Sequence, residues 1–194
     1  MPFLPTPLTG AQIFEPRVFG DERGYFFESY NERTFRQAGI TARFVQDNQA
    51  RSARGVLRGL HFQREDYAQA KLVRVTEGEV YDVIVDLRPD SPTLYEWYGL
   101  YLSAENQRQL YVPRGFAHGY LVTTEMATFV YKCDNFYTPE AEGGLRYDDP
   151  SLGIEWPLMD DGYILAERDQ KFSLLTKESL STPAGKPARN PNKN

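Results

Sequence analysis

Sulfur and imidazole are scarce in this chain. Its 194 residues include one cysteine, Cys133, and two histidines, His61 and His118. A single thiol excludes an internal disulfide and any cysteine-rich metal centre. With no His-x-His pair, the metal set still open arithmetically is two histidines plus a carboxylate, and the histidines lie far apart in the sequence. Basic runs are also missing. A net charge of −5 without clustered Lys and Arg argues against a nucleic-acid partner, so any phosphate must be gripped locally. No uninterrupted apolar stretch reaches bilayer length, and residues 1–10 contain no charged segment leading into an apolar one. The expectation is a cytoplasmic protein with no membrane partner.

What the chain does contain is aromatic residues and chain breakers. Tyr (13) and Phe (12) far outnumber Met (3), and Gly (15) with Pro (13) interrupts the sequence often, which favours many short strands over long helices. Strands are predicted at 13–19, 25–30, 44–48, 56–63, 71–76, 80–87, 95–102, 109–112, 117–122 and 127–132. A polar turn at 21–24 is closed by Gly24, and a short helix is capped by Asn31 and ended by Gly39. The number and punctuation of these strands predict an all-β sandwich or barrel. Along 80–87, Val80, Asp82, Ile84 and Asp86 alternate with Tyr81, Val83, Val85 and Leu87, as in a strand with one apolar and one mixed face. Residues 1–175 read as one domain. The Pro-, Lys- and Asn-rich stretch 176–194 reads as a flexible polar tail, because it cannot bury enough apolar area to order itself.

Each histidine has unusual neighbours: His61 follows Arg58-Gly59-Leu60, and His118 lies between Ala117 and Gly119. An arbitrary histidine in a strand is more often a packed side chain satisfied by a backbone partner than a functional group. Flanking glycines shift that balance, since they allow a ligand close to the backbone. Taken alone, Lys71 and Tyr131 are ordinary strand residues with apolar stems and wet tips, and Asp169 passes for a surface charge.

Longer motifs carry more. Phe19-Gly20-Asp21-Glu22-Arg23-Gly24 is followed by Phe-Val-Gln-Asp-Asn at 44–48 and Gly-Val-Leu-Arg-Gly-Leu-His-Phe-Gln at 55–63. Then come Val-Tyr-Asp-Val-Ile-Val-Asp-Leu-Arg at 80–88, Pro-Arg-Gly-Phe-Ala-His-Gly at 113–119, Asp-Pro at 149–150 and Ile-Glu-Trp-Pro at 154–157. In this order, from about 13 to about 175, the chain resembles the deoxythymidine-diphosphate (dTDP) 4-dehydrorhamnose 3,5-epimerases of rhamnose synthesis.

The resemblance implies a cupin-type jelly-roll β-barrel with short peripheral helices, a homodimer, and no metal or organic cofactor. The implied reaction inverts carbons 3 and 5 of dTDP-4-dehydro-6-deoxy-D-glucose to give dTDP-4-dehydro-L-rhamnose. His61 would be the base, Asp169 its orienting partner, Tyr131 the acid and Lys71 the group stabilising the enolate. Arg23, Glu28, Gln46, Asn48, Arg58, His118, Glu142 and Arg168 match positions that hold the nucleotide-sugar. Tyr137 matches a ring that stacks on thymine, and Phe19 one that reaches the site from the partner subunit. Cys133 stands where the family commonly has threonine and reads as a buried structural thiol.

These residue types suit the chemistry. A 4-keto group acidifies the hydrogens on carbons 3 and 5, so inversion needs a base on one face, an acid on the other and a charge on the enolate oxygen. Arginine forks explain how an acidic chain could hold a diphosphate. Two alternatives stay open: a related epimerase acting at one carbon, and a non-catalytic nucleotide-sugar-binding barrel. Strict alternation would put Arg58 and His61 on opposite faces of one strand, so a shared pocket requires a bulge or twist near Gly59.

Overall fold

The computed structural model describes residues 2–175, so the tail predicted for 176–194 lies outside the described residues. In chain order the elements are β1 (Phe3–Pro5), β2 (Gln12–Phe14), β3 (Phe19–Asp21), β4 (Gly24–Phe26), α1 (Glu32–Gln37), β5 (Gln46–Ala53) and β6 (Val56–Gln63). They continue with β7 (Lys71–Glu77), β8 (Glu79–Asp86), β9 (Trp97–Ser103), β10 (Gln109–Val112), β11 (Phe116–Val122), β12 (Met126–Cys133), β13 (Glu142–Gly144), β14 (Ile164–Leu165) and α2 (Glu167–Gln170).

Local chemistry accounts for the early elements. Asn31 caps α1 by accepting from the amides of Arg33 (3.0 Å) and Thr34 (3.3 Å). The turn between β3 and β4 is tied by Asp21, which takes the Arg23 amide at 2.9 Å and pairs with its guanidinium. The single strand predicted over 13–19 is instead two, β2 and β3, separated by a segment containing Pro16, which has no N–H for a ladder. The strand predicted at 44–48 begins at Gln46 and runs on to Ala53.

Two sheets face each other, one ordered β1-β2-β10-β7-β12-β5 and the other β13-β6-β11-β8-β9, with β14 parallel to β6. From β5 to β8 the chain changes sheet at every step, and from β9 to β13 it does so again. This is the jelly-roll solution to closing antiparallel sheets. Between the sheets lie Val73, Val75, Val80, Ile84, Leu102, Leu110, Val122 and Phe129, with Tyr120 stacked on Phe129 at 4.1 Å. The mixed face predicted for 80–87 points into this interior, where Asp82 is buried between Val80 and Ile84. Val83, Val85 and Leu87 face the other way, under Leu145, Leu152 and Trp156. Phe14, Phe35, Ile40 and Leu72 pack α1 against the outside of the first sheet. Among the described residues the β3–β4 hairpin pairs only with itself, and Tyr25 (63% exposed) and Phe26 (70%) remain uncovered.

Candidate active site

At one end of the sandwich the interior changes from apolar to polar, and the change follows the period-2 alternation of four strands. On β12, Ala127 and Phe129 belong to the core, and Tyr131 and Cys133 carry the same face onward. On β7, Val75 and Val73 lead to Lys71. On β5, Gln46 and Asn48 share the face of buried Ser52. The fourth strand, β6, brings His61 and Gln63 to the same place, where a cavity of about 300 Å³ also takes in Phe62, Gln69, Tyr137, Glu142 and Arg168.

β6 reaches this arrangement through a bulge. Against β11, His61 pairs with His118 and Arg58 with Tyr120, so three steps on β6 oppose two on its neighbour. The extra residue falls at Gly59-Leu60. Leu60 packs on the outer side of the sheet, while Arg58 reaches inward to Ser52 Oγ at 3.2 and 3.1 Å. The bulge anticipated near Gly59 therefore exists, and it turns Arg58 and His61 to one side. Gly59 has φ +127°, a left-handed value that favours glycine.

Behind the imidazole stands Asp169, 1% exposed, carried by α2. Its Oδ1 lies 2.8 Å from His61 Nε2, and its Oδ2 takes the Gly59 amide at 3.3 Å. Burial works to raise this carboxyl, but the hydrogen bond and charge of His61, the Gly59 amide and Arg168 outweigh it and hold Asp169 below the usual carboxylate range. An ionised partner fixes the ring's orientation and, when the ring is neutral, places its proton on Nε2.

Across the cavity, Lys71 Nζ lies 6.0 Å from the centre of the Tyr131 ring. Burial lowers Lys71 from the ordinary lysine value, while Cys133, Asp82 and Glu142 pull it back up. Burial likewise raises the Tyr131 phenol, so it keeps its proton at neutral pH. Cys133 is buried as expected, its thiol pushed up to about 11 by desolvation, and Asn48 Nδ2 approaches its sulfur at 3.8 Å. At the mouth, the Tyr137 hydroxyl donates to Glu142 Oε2 at 3.2 Å, and Gln46 Oε1 takes the Tyr137 amide at 3.0 Å.

Other residues singled out in the sequence lie elsewhere. His118 is buried beneath the cavity with Nε2 2.8 Å from Asp82 Oδ2 and its ring against Phe129. Phe19 and Arg23 are on the exposed hairpin, Arg23 with a side chain 83% accessible, and Glu28 lies exposed beyond it, bonded to Asn31. Within one chain none of these three lines the cavity, and β3 and β4 form a two-stranded sheet of their own. Among the described residues, no group of three or more His, Cys, Asp or Glu is placed to hold a metal ion.

Residues 5–177 match the family model described as dTDP-4-dehydrorhamnose 3,5-epimerase. The chain belongs to this family. It is 58% identical, over 82% of its length and 87% of the relative's, to the dTDP-4-dehydrorhamnose 3,5-epimerase of Pseudomonas aeruginosa. Among solved structures it resembles the dTDP-6-deoxy-D-glucose-3,5-epimerase of Legionella pneumophila in complex with dTDP-4-keto-L-rhamnose. That match has a TM-score of 0.88 and 45% identity, covering 96% of this chain and 98% of the other. A 3'-monoepimerase from Streptomyces bikiniensis, in complex with dTDP-quinovose, matches with a TM-score of 0.84 and 37% identity over 91% of this chain and 90% of that one.

Several residues of this epimerase-family site were not anticipated from its sequence. Gln63 shares a strand face with His61, and that period-2 signal was available. Its Oε1 takes the Thr138 amide at 2.9 Å, and Gln69 Nε2 donates to the Asn135 carbonyl at 2.8 Å, so the two glutamines brace the loop carrying Tyr137. Ser52, which anchors Arg58, and Phe172, edge-on to His61 at 5.7 Å, had no local signature.

Proposed function

We propose that the chain inverts carbons 3 and 5 of dTDP-4-dehydro-6-deoxy-D-glucose, giving dTDP-4-dehydro-L-rhamnose through an enolate. The observation that carries this reading is a His61–Asp169 pair at 2.8 Å opening on the cavity that Tyr131 and Lys71 also line. With Asp169 accepting from Nε2, Nδ1 holds the lone pair. His61 takes a proton from carbon 5, the electron pair moves onto the 4-keto oxygen, and the Lys71 ammonium faces the charge that forms there. Tyr131 then gives its O–H proton to the opposite face of the carbon, which inverts it, and both groups recover their protonation states by exchange with water. The same cycle acts at carbon 3.

Gln46, Asn48, Arg58, Glu142 and Arg168 are read as holding the nucleotide-sugar, with Tyr137 stacking on thymine, while His118, expected among them, is buried against Asp82 and supports the cavity from beneath. The proposed assembly is a homodimer in which the hairpin crosses to the partner, so that Phe19, Arg23 and Glu28 complete the neighbouring site. The uncovered Tyr25 and Phe26 rings support this, since contiguous exposed aromatics mark contact surfaces. The substrate, a nucleoside-diphosphate sugar held inside the cell, carries a cytoplasmic location with it.

The test is proton NMR of the purified enzyme acting on the 4-keto sugar in deuterium oxide. Deuterium should enter at both carbons with inversion. Incorporation at one carbon alone would assign a monoepimerase, and none at either would leave a binding barrel.

A further inference from the structure

One oxygen of Asp169 serves both an imidazole and a guanidinium. His61 Nε2 lies 2.8 Å from Oδ1, and Arg168 Nε lies 3.4 Å from the same atom. The guanidinium also donates to Glu142 Oε2 at 3.1 Å, and that oxygen takes the Tyr137 hydroxyl at 3.2 Å. Polar contacts therefore run without a break from the ring at the cavity mouth to the imidazole. Asp169 is buried and fixed by the Gly59 amide, whereas Arg168, its neighbour on α2, is half exposed, with solvent on one side and the two carboxylates on the other.

We propose that Arg168 and Glu142 are positioning residues that set the strength of His61 as a base, Arg168 by drawing on the carboxylate that supports the ring and Glu142 by holding Arg168 partly away from it. The proposal rests on the reading of His61 as the proton acceptor. A guanidinium on Oδ1 competes with the imidazolium for one negative charge, so its withdrawal lets the ring hold a proton more firmly. An anionic ligand at the mouth competes for Arg168 against both carboxylates. Its arrival frees Asp169, and the base gains strength once the cavity is filled. The other titratable groups lining the cavity with the pair are Lys71 from β7, Tyr131 and Cys133 from β12 and Tyr137 from its loop, with the His118–Asp82 pair beneath, while Arg58 on β6 is bonded to Ser52. None of the groups on β7 or β12 makes a hydrogen bond to Asp169 among the described residues.

The two histidines make the test direct. In protein labelled with carbon-13 at histidine, the His61 and His118 rings give separate signals that can be followed against pH, and His118 serves as the internal reference. Arg168→Met should move the His61 curve to higher pH by about half a unit, and Glu142→Gln should move it to lower pH by a similar amount. In the Arg168→Met background the Glu142→Gln shift should shrink, because Glu142 acts largely through Arg168. Arg168→Lys, which keeps the charge, should fall between parent and Arg168→Met. The acid limb of the kcat/KM profile should follow the same order. A His61 curve that stays in place in both single variants, moves the same way in both, or moves together with His118 overturns the proposal. Opposite shifts in a protein that exchanges no deuterium into the 4-keto sugar would sink the epimerase reading and leave this coupling standing.

Discussion

The backbone amide of Gly59 donates to Asp169 Oδ2 at 3.3 Å, so the residue at which β6 bulges also holds the carboxylate behind His61. A Cβ on Gly59 would meet Gly119 Cα at 2.5 Å and the His118 carbonyl oxygen at 2.9 Å. Both contacts are backbone of the adjoining strand and cannot step aside as a flexible side chain would. Gly59→Ala should therefore cost about 2–4 kcal/mol of stability, seen as a lower urea midpoint. It should also lose more activity than a core truncation of equal stability cost, because the bulge aims the proposed base. Parent-like rate and midpoint would refute that role for the bulge.

His61→Ala and Tyr131→Phe should fail differently. Without the base no carbon loses its hydrogen, so deuterium wash-in should fall about 10²–10⁴-fold at both positions. Tyr131→Phe leaves deprotonation intact and removes the buried phenol that burial keeps protonated. Exchange should persist while inversion declines. If Tyr131→Phe lost wash-in as completely as His61→Ala, the division of labour would be wrong.

Much of this arrangement was readable locally. The Asn31 cap, the Asp21–Gly24 turn and the alternation that sends Lys71, Tyr131 and His61 to one end all follow from residue type and period. The need for a bulge followed from placing Arg58 and His61 in one pocket. Asp169 could not be found this way: it is 108 residues from His61 and resembles a surface charge until α2 folds against β6. Strands β13 and β14 were missed for the same reason, since each is two or three residues long and exists only by pairing with β6. Pro16 is the local signal that splits 13–19, since a residue without an N–H interrupts the ladder that the apolar pattern around it would otherwise continue.

In the proposed reaction Lys71 sets function against stability. Burial depresses its folded value below that of the unfolded chain, so between those two values the native state holds fewer protons and stability rises with pH. Lys71→Met removes the buried charge. Its unfolding free energy at pH 7 should be at least that of the parent, and its rise with pH below about 10 should be weaker. Activity should nevertheless fall about 10²–10³-fold as the enolate loses its cation. Denaturant titrations at several pH values check the first part and steady-state rates the second. A large loss of stability at pH 7 would mean that the ammonium is better satisfied than its surroundings indicate.

If the hairpin crosses to the partner as proposed, a prediction follows that does not depend on measuring the dimer itself. Arg23→Ala should inactivate a site in the neighbouring subunit, and His61→Ala a site in its own. Each homodimer should then be nearly inactive. In a mixed dimer, however, both defects fall on the same site, formed by the His61→Ala cavity and the Arg23→Ala hairpin, and the second site is intact. Unfolding and refolding the two variants together at equal concentration should give half mixed dimers, and so restore about a quarter of the parent activity. If Arg23 served its own chain's cavity, every site in the mixture would carry one defect or the other and no activity would return. Exposed Arg23, paired among the described residues with Asp21, should be replaceable without loss of folding, so a null result would be informative. Recovery would locate Arg23 at the partner's cavity, and its absence would return the hairpin to its own chain.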